Sequence, residues 1–324
     1  MRTVSAGEID ATLGFPALIA ALRRTFAAAG RATDAAAAPT RHHHHIGPDG
    51  GPGATHLLMP AWTADAPGPG AYIGTKIVDV FPDNGRLGLP AVLGVYVLQS
   101  GETGAPLAVL DGTRLTHWRT AAASALAADI LARPDASRLL VVGAGALAPF
   151  LARAHASVRP LARIAVWNHR PAGAERVAAE LRATGLPAEA VTDLEAAVRN
   201  AEVVSCATLS TAPLVRGAWL RPGQHVDLVG AFTFAMREAD DDALRRARVF
   251  VDTPAARVEG GDVAAAIRDG VLRDREVLAD LHALCRGEHP GRGGADEITL
   301  FKSVGTAIED LAAAVLVWEE LARA

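Results

Sequence analysis

The chain has 324 residues, half of them hydrophobic and 21% charged, and its formal net charge at pH 7 is −4. This length predicts two domains that each bury a core. Charges of both signs are interspersed, which argues against binding to nucleic acid, and no run of roughly 18 uncharged apolar residues predicts a membrane span.

The first ten residues indicate the start of a helix and not a secretion signal. Glu8 and Asp10 interrupt the apolar run that a signal peptide needs, and the spacing of Ser5 and Glu8 is typical of a capping box. We therefore expect a cytoplasmic protein. The two cysteines, Cys206 and Cys285, are too few for a disulfide framework or a zinc site, so no metal is expected.

Residues 1–115 predict a mixture of helices and strands. Apolar residues recur at helical spacing from Phe15 to Ala29, and Gly30 would end this helix. The Gly- and Pro-rich segment 47–70 predicts hairpin turns around a short apolar strand at 57–59. Two longer strands and the turn between them are predicted at Ala71–Phe81, Ala91–Gln99 and Pro82–Gly85. An antiparallel sheet is the simplest arrangement of these strands.

Helices and strands alternate beyond Asp111, which predicts a doubly wound parallel sheet of the α/β class. The first helix of this part is predicted from His117 to Ala132. The predicted strands are Arg138–Val142, Arg163–Trp167, Val203–Ala207, Gln224–Val229 and Val249–Asp252. The last segment, Thr299–Ala324, predicts a helix that folds back across the first domain.

A glycine-rich turn joins the first of these strands to a helix predicted at 149–158. Gly143 permits a tight turn, Gly145 lets the backbone approach a pyrophosphate, and Ala148 allows close packing of helix on strand. The helix N-terminus adds amide donors for an anion. The context of strand, turn and helix favours a dinucleotide site over a simple turn. The predicted cofactor-binding residues also include Ala146, Leu147, Thr208 and Val229.

The end of the next strand distinguishes between the two nicotinamide cofactors. An NAD site usually presents a carboxylate there to the ribose 2′-hydroxyl, whereas this chain has Asn168, His169 and Arg170. No carboxylate would repel a 2′-phosphate, and Arg170 could pair with one. The sequence therefore favours NADPH, with NADH as the second choice. The alternative is that Arg170 only faces solvent.

A second anion site is indicated by the segment Thr116–Thr120. Thr116 is predicted to cap a helix, which puts Arg119 in the first turn, where a cation opposes the helix dipole unless an anion lies in front of it. A substrate carboxylate or a cofactor phosphate would meet this condition, and Thr120 would add a hydroxyl donor. The alternative is an exposed Arg119 that contributes nothing.

Lys76 lies within an otherwise apolar strand. Alternation along the strand puts its side chain on one face with Tyr72, Gly74 and Val78. A buried lysine either pairs with an anion or has a lowered pKa, and both suit a binding site. The alternative is a lysine on an edge strand, where its charge would only prevent aggregation.

Five segments resemble the ornithine cyclodeaminase and mu-crystallin family, and they cover nearly the whole chain in order. They are Lys76–Asn84, Leu107–Ser124, Val141–Ala148, Ala207–Pro213 and Phe301–Ala314. The resemblance implies a substrate-binding and dimerisation domain at 1–116 with 303–324, and an NADP-binding Rossmann domain at 117–302. It also implies an active site in the cleft and a homodimer built through the sheet of the first domain.

The resemblance also implies how a small carboxylate substrate would be bound. Family members hold it with three cations that fall here on Arg41, Lys76 and Arg119, and we expect these to converge opposite the nicotinamide ring. Two carboxylates of the cyclodeaminases are missing. Leu57 aligns with the glutamate that meets the second amine of their substrate, and Phe232 lies in the segment that replaces their catalytic aspartate.

The segment Val229–Glu238 is similar to that of imino-acid reductases in the family. This similarity implies reduction of Δ1-pyrroline-2-carboxylate to proline or of Δ1-piperideine-2-carboxylate to pipecolate. Phe232 would belong to an apolar wall, and Lys76 is the candidate proton donor. The alternatives are an ornithine cyclodeaminase, an alanine dehydrogenase-like enzyme and a non-catalytic NADPH-binding protein. The ring size, the acceptance of linear imines and the pathway, such as proline metabolism, stay open.

Two further features of the sequence have no single assigned role. His42 to His45 follow Arg41, and we expect most of them in a surface loop, although one could face the pocket. Adjacent side chains of an extended segment point to opposite faces, so the four cannot all bind one metal ion. Asp310 belongs to a family-like motif and serves either a cofactor loop or charge compensation at a helix start.

Overall fold

The structure is a computed structural model that describes residues 1–29, 36–47, 53–63 and 67–323. The strands are β1 Arg2–Val4, β2 Ala36–Ala37, β3 His42–Ile46, β4 Ala54–Thr63, β5 Tyr72–Val80, β6 Val92–Ser100, β7 Pro106–Asp111, β8 Arg138–Val142, β9 Arg163–Trp167, β10 Ala188–Val191, β11 Val203–Cys206, β12 His225–Leu228, β13 Arg248–Val251, β14 Val277–Asp280 and β15 Thr299–Lys302. The α-helices are α1 Ala6–Thr12, α2 Phe15–Ala28, α3 Gly112–Leu131, α4 Ala148–Ala156, α5 Pro171–Ala183, α6 Leu194–Asn200, α7 Asp241–Arg246, α8 Val263–Arg268, α9 Leu281–Cys285 and α10 Ala307–Arg323. Short 3-10 helices lie at Pro82–Leu87, Gly217–Trp219, Pro254–Arg257 and Asp274–Glu276.

The chain divides into two compact units, Met1–Arg119 with Thr306–Ala324, and Thr120–Gly305. In the first unit, β4, β5, β6 and β7 form an antiparallel succession, and β1 joins its end parallel to β7. The predicted antiparallel sheet is therefore confirmed, within a sheet that is mixed as a whole. Helix α10 packs against α2 and against β4, β5 and β6.

The central strand β5 shows the predicted alternation. Gly74, Lys76 and Val78 are buried, and the residues between them are half-buried. Because β5 pairs with β4 on one side and β6 on the other, Lys76 does not lie on an edge strand. The explanation of Lys76 as a guard against aggregation is therefore wrong.

The second unit holds a parallel sheet of eight strands in the order β10-β9-β8-β11-β12-β15-β13-β14. The chain starts at β8 in the middle, adds β9 and β10 on one side, and then crosses to add β11 and β12 on the other. This is the doubly wound topology that the alternation of helices and strands predicted. Ligands of such sheets bind beyond the carboxyl ends of the strands at the point where the order reverses, which here lies between β8 and β11.

Several predicted boundaries were wrong for local reasons. The helix predicted to start at His117 begins at Gly112, because the Asp111 carboxylate accepts a hydrogen bond from the Arg114 amide at 2.7 Å and caps it earlier. Thr299–Lys302 is the buried strand β15 between β12 and β13, and α10 begins only at Ala307.

Among the other elements, some predictions were right and others were wrong. The turn predicted at 82–85 is the start of a short 3-10 helix, and β10 and β14 were not predicted. Helix α2 is confirmed, whereas its predicted terminator, Gly30, lies outside the described residues. The capping box of Ser5 and Glu8 is confirmed. Among the described residues, no helix has both the length and the apolar character to cross a membrane.

Candidate functional site

Two of the three predicted cations of the first unit bind the same carboxylate. Lys76 Nζ lies 2.9 Å from Asp310 Oδ1 and 2.8 Å from its Oδ2, and Arg119 Nε donates to Asp310 Oδ1 at 3.0 Å. Arg119 Nη1 also donates to Glu309 Oε2 at 2.7 Å. All four side chains are buried, and none of the four residues is more than 6% exposed. The structure therefore holds two cations and two anions in one compact group.

The geometry of helix α3 corrects the explanation of Arg119. Because α3 begins at Gly112, Arg119 lies about two turns into it and does not oppose the helix dipole. Thr116 is not a cap, since its hydroxyl donates to the Gly112 carbonyl within the helix at 2.7 Å. Glu309 and Asp310 account for the buried cation. Both lie in the first turn of α10, so Asp310 compensates buried cations of other elements in addition to lying at a helix start.

The electrostatics of this group favour proton transfer by Lys76 near neutral pH. Burial and the neighbouring Arg119 lower the pKa of Lys76 to about 8, against the opposing effect of Asp310. Although burial lowers it, Asp310 and Glu309 hold the pKa of Arg119 above its usual value. Arg119 Nη2 makes no hydrogen bond with the described residues. It is therefore a charged donor that a ligand carboxylate could use.

Tyr96 is a further buried polar residue beside Lys76. It is the direct cross-strand partner of Lys76 in the pairing of β5 with β6. Its hydroxyl has no hydrogen-bond partner among the described residues, and its ring occupies the space that a side chain at position 74 would need. Burial, with a contribution from Asp310, raises the pKa of Tyr96 well above its usual value, so its hydroxyl keeps its proton.

Strand register shows where Arg41 lies in relation to Lys76. Arg41 is half-buried and directly precedes β3, in which His42 pairs with Leu58 of β4. The next residue of β4, Met59, pairs with Lys76. Continuing the β3–β4 register by one residue would put Arg41 opposite Met59, on the row of side chains that contains Lys76.

The four histidines form an exposed strand, so the prediction of a loop is wrong, whereas the prediction of a surface position is right. Because these residues pair with β4 in an extended strand, their side chains point alternately to the two faces of the sheet. His43 shares the face of Arg41 and Lys76, while His44 lies on the opposite face, where its ring is 6.3 Å from that of His56. Among the described residues, no group of three or more His, Cys, Asp or Glu side chains is placed to hold a metal ion.

The glycine turn of the second unit has the form that a dinucleotide site needs. Gly143 has φ +111°, and a Cβ at this position would lie 2.5 Å from the Ala207 carbonyl oxygen, so only glycine fits. A Cβ at Gly145 would meet nothing within 4 Å, which shows that the turn is open there. Leu147 occupies the N-cap position of α4, and the buried Ala148 is the first residue of this helix. The residues present therefore fit a pyrophosphate at this turn.

Two arginines lie close to the end of β9, one just before α5 and one within its first two turns. Arg170 occupies the N-cap position of α5, is exposed, and has no side-chain partner among the described residues. Arg176 donates from Nη2 to the Ala144 carbonyl at 2.7 Å, so it lies against the glycine turn. Asn168 is half-buried and donates to the Arg170 carbonyl at 3.0 Å, and His169 is exposed. Sequence reasoning missed Arg176, although it follows the same strand as Arg170.

The loops after β11 and β12 carry the other predicted residues of this unit. Thr208 is half-buried, and Val229 is buried and donates its amide to the Cys206 carbonyl at 2.9 Å. Phe232, the predicted member of an apolar wall, is 40% exposed. Thr120 follows Arg119 on α3 and is half-buried. Leu57 is buried within β4.

Comparisons with known proteins identify the family of the chain. Residues 49–324 match the model of the ornithine cyclodeaminase/mu-crystallin family. A Δ1-pyrroline-2-carboxylate reductase of Paracoccus denitrificans is 40% identical over 264 residues, covering 81% of this chain and 82% of that protein. The structure of the Thermococcus litoralis Δ1-pyrroline-2-carboxylate reductase in complex with NADH and L-proline has a TM-score of 0.92 at 30% identity, covering 100% and 98% of the two chains. The iminosuccinate reductase of Paracoccus denitrificans in complex with NAD+ has a TM-score of 0.87 at 30% identity, covering 100% and 97%. This chain belongs to the ornithine cyclodeaminase/mu-crystallin family.

Proposed function

We propose that this protein reduces small imino acids with NAD(P)H, converting Δ1-pyrroline-2-carboxylate to proline and Δ1-piperideine-2-carboxylate to pipecolate. The observation that carries this proposal is the buried group of Lys76, Arg119 and Asp310, in which a proton donor and a free guanidinium nitrogen lie together. The names of the Paracoccus and Thermococcus relatives support the same reaction.

The carboxylate of the substrate would bind to Arg119 Nη2 and to Lys76. Both cations share Asp310 and Arg119 also pairs with Glu309, so two carboxylates balance the two positive charges. A planar guanidinium keeps its remaining donors in a fixed direction, which suits recognition of a planar carboxylate. Arg41, on the same row as Lys76, would complete the group of three cations.

The nucleotide would be held by the glycine turn from Gly143 to Leu147 and by the loops that carry Thr208 and Val229. When bound, the reduced nicotinamide supplies the hydride that adds to C2 of the imine. Lys76 would donate the proton that the ring nitrogen gains, and its pKa of about 8 suits this role near neutral pH. Asp310 would hold the Lys76 ammonium in place before transfer.

Two carboxylates that ornithine cyclodeamination would use have no counterpart at these positions. Leu57 is buried in β4, and the segment after β12 carries Phe232. Apolar side chains cannot hold or deprotonate a second amine, because a buried ammonium without a partner is costly. These residues therefore favour a cyclic imine over ornithine. A linear imino acid is the second candidate substrate, because the iminosuccinate reductase is so similar in structure.

We propose that NADPH is preferred over NADH. The support is the unpaired, exposed Arg170 at the end of β9, with Arg176 against the glycine turn nearby in sequence. A 2′-phosphate carries negative charge and several acceptor oxygens, which an arginine binds well.

We propose a cytoplasmic homodimer formed through the sheet of the first unit. Leu93 and Val95 on β6 are 40% and 43% exposed, and Ile77 pairs with Val95 on the same face. An exposed apolar sheet face of this kind is typical of an interface.

A substrate comparison tests the proposed reaction. Purified protein would be offered Δ1-pyrroline-2-carboxylate, Δ1-piperideine-2-carboxylate or iminosuccinate with NADPH or NADH, and separately L-ornithine with NAD+. We expect nucleotide oxidation with a cyclic imine and an equal amount of proline or pipecolate. Release of ammonia from ornithine, without reduction of any imine, would reject the proposal.

A further inference from the structure

A buried glutamate joins the two loops that follow β11 and β12. Glu238 Oε1 accepts hydrogen bonds from the Thr208 amide at 2.6 Å and from the Thr208 hydroxyl at 2.9 Å. Its Oε2 accepts from the Gly230 amide at 2.7 Å. Thr208 and Gly230 each lie two residues beyond their strand, and Glu238 is 0% exposed. One carboxylate therefore fixes the backbone at the carboxyl ends of two neighbouring strands.

These loops are packed too closely to adjust freely. A Cβ at position 230 would clash with the backbone of Thr208 and with the Glu238 carboxylate, so glycine is required there. The Thr208 loop also borders the glycine turn, since the Ala207 carbonyl lies where a Cβ of Gly143 would be. The turn and both loops thus form one surface at the strand ends where a nucleotide of this fold binds.

A second carboxylate fixes the backbone at Glu238. Asp262 Oδ1 accepts from the amides of Glu238 at 2.9 Å and Ala239 at 3.1 Å. Asp262 has φ +48°, and it is the one residue other than glycine with positive φ in the part of the chain that the structure describes. Such a backbone conformation persists only where the surrounding structure enforces it, often at functional sites.

We propose that Glu238 is a positioning residue that sets the loops after β11 and β12 for the nicotinamide half of the cofactor. It acts through the Thr208 and Gly230 amides and does not touch the substrate. The proposal rests on the proposed function, because it assumes that a nicotinamide nucleotide binds at these strand ends.

The charges around Glu238 make the hydrogen bonds of its carboxylate sensitive to pH. Lys302 on β15, Asp262 before α8, the Cys206 thiol on β11 and the adjacent Arg237 are the titratable and charged groups that surround it. Burial and Asp262 raise the pKa of Glu238 to about 7, against the effects of Lys302 and of the two amide bonds. Protonation places a hydrogen on one of the accepting oxygens. The carboxylate therefore grips both loops above about pH 7 and only one of them fully below it.

The test compares Glu238→Gln with Glu202→Gln in the full-length protein. Glutamine at 238 keeps the size of the side chain, but its NH2 group meets an amide donor, so one loop is released. Glu202 is the matched control, because its carboxylate also accepts from two backbone amides, those of Ser137 at 2.8 Å and Arg138 at 3.1 Å, at the opposite ends of the strands. The readouts are the dissociation constants of NADPH and NADH from pH 5.5 to 8.5, and the thermal unfolding temperature.

We expect Glu238→Gln to weaken nucleotide binding about tenfold or more at pH 8, as loss of one buried hydrogen bond to a charged group does. We also expect it to abolish the change in affinity around pH 7 that we predict for the native protein. Glu202→Gln should lower the unfolding temperature and leave nucleotide binding unchanged. Native affinity and pH dependence in folded Glu238→Gln would overturn the proposal.

Hydrogen exchange of the native protein keeps the test decisive if Glu238→Gln does not fold. The amides of Thr208 and Gly230 should exchange more slowly at pH 8 than at pH 6 once the rates are corrected for the intrinsic effect of pH. Equal protection of these amides at pH 6 and pH 8 would contradict the proposed role of Glu238. If the native protein binds nucleotide but reduces no imine, the proposed reaction fails, whereas the nucleotide affinities still decide the role of Glu238.

Discussion

At the scale of single residues, the buried ionic group of the first unit calls for a functional explanation. Moving ions out of water costs several kcal/mol for each, and an apolar replacement for such a group is often as stable. Lys76, Arg119, Glu309 and Asp310 are nevertheless all buried in one network. The proposed binding of a carboxylate and transfer of a proton would explain why these charged residues are buried together.

Loss of the Lys76 ammonium should remove most of the activity. We expect Lys76→Met to lower kcat for imine reduction about 10²- to 10⁴-fold, the usual contribution of a general acid. Lys76→Arg should not restore the rate, because an arginine does not release its proton near neutral pH. Steady-state kinetics at pH 7 with unchanged nucleotide affinity would check this, and near-native kcat in Lys76→Met would contradict it.

The pH dependence follows from the same residue. The donor form of Lys76 is present below its pKa of about 8, so kcat/KM should fall as the pH rises through 8. Asp310 raises this pKa, so in Asp310→Asn the fall should move to lower pH. A rate profile from pH 6 to 10 measures the shift, and an unmoved or upward-shifted limb would show that another group donates the proton.

The proposed preference for NADPH depends on Arg170. We expect Arg170→Ala to weaken NADPH binding about tenfold, since a charge-assisted contact is lost, and to affect NADH far less. Fluorescence titration with both nucleotides measures the two affinities. An equal loss for both would assign Arg170 a general role in binding instead.

Sequence alone could identify individual charged residues but not their partners. Lys76 was predicted because a charge conflicts with its apolar strand, and Arg119 because it was wrongly placed in the first turn of a helix. Asp310 lies more than 190 residues from Arg119 in the chain, and only the packing of α10 shows that they meet. Glu238 was read only as part of a segment, because its three hydrogen bonds are long-range or involve backbone amides.

At the scale of secondary structure, substitutions of the two glycines in the turn after β8 should affect stability and nucleotide binding differently. Gly143→Ala would force a Cβ to within 2.5 Å of a carbonyl oxygen, so we expect a loss of about 1–3 kcal/mol of unfolding free energy along with nucleotide binding. Gly145→Ala has open space around its Cβ, and we expect native stability but weaker nucleotide binding. Urea denaturation and nucleotide titration measure both. Equal behaviour of the two variants would contradict the distinct roles of these glycines.

Most element types were predictable, whereas boundaries were predictable only where clear turn signals flank the element. β8 and β9 match their predicted ranges, since each is a short apolar run next to clear turn signals. β15 was assigned to a helix because its four residues lie close before α10, and only the sheet order shows that this strand lies between β12 and β13. The fold class, by contrast, was predictable, because it depends on the alternation of elements and not on their ends.

At the scale of the whole molecule, the exposed face of the first unit's sheet should mediate association. We expect Val95→Asp to convert a dimer into a monomer, because a buried charge at an apolar interface is not tolerated. Leu278→Asp is a control, since Leu278 is similarly exposed, at 38%, but lies on β14 of the other unit. Light scattering after size-exclusion chromatography gives both masses. A native protein that is monomeric, or a Val95→Asp dimer, would reject this interface.

The most direct test of the account is a crystal structure of the protein with L-proline and an oxidised nicotinamide nucleotide. We predict that the proline carboxylate lies within about 3 Å of Arg119 Nη2 and of Lys76 Nζ, with the pyrophosphate at the glycine turn after β8. A proline carboxylate bound elsewhere, with Arg119 and Lys76 contacting only Glu309 and Asp310, would contradict the account.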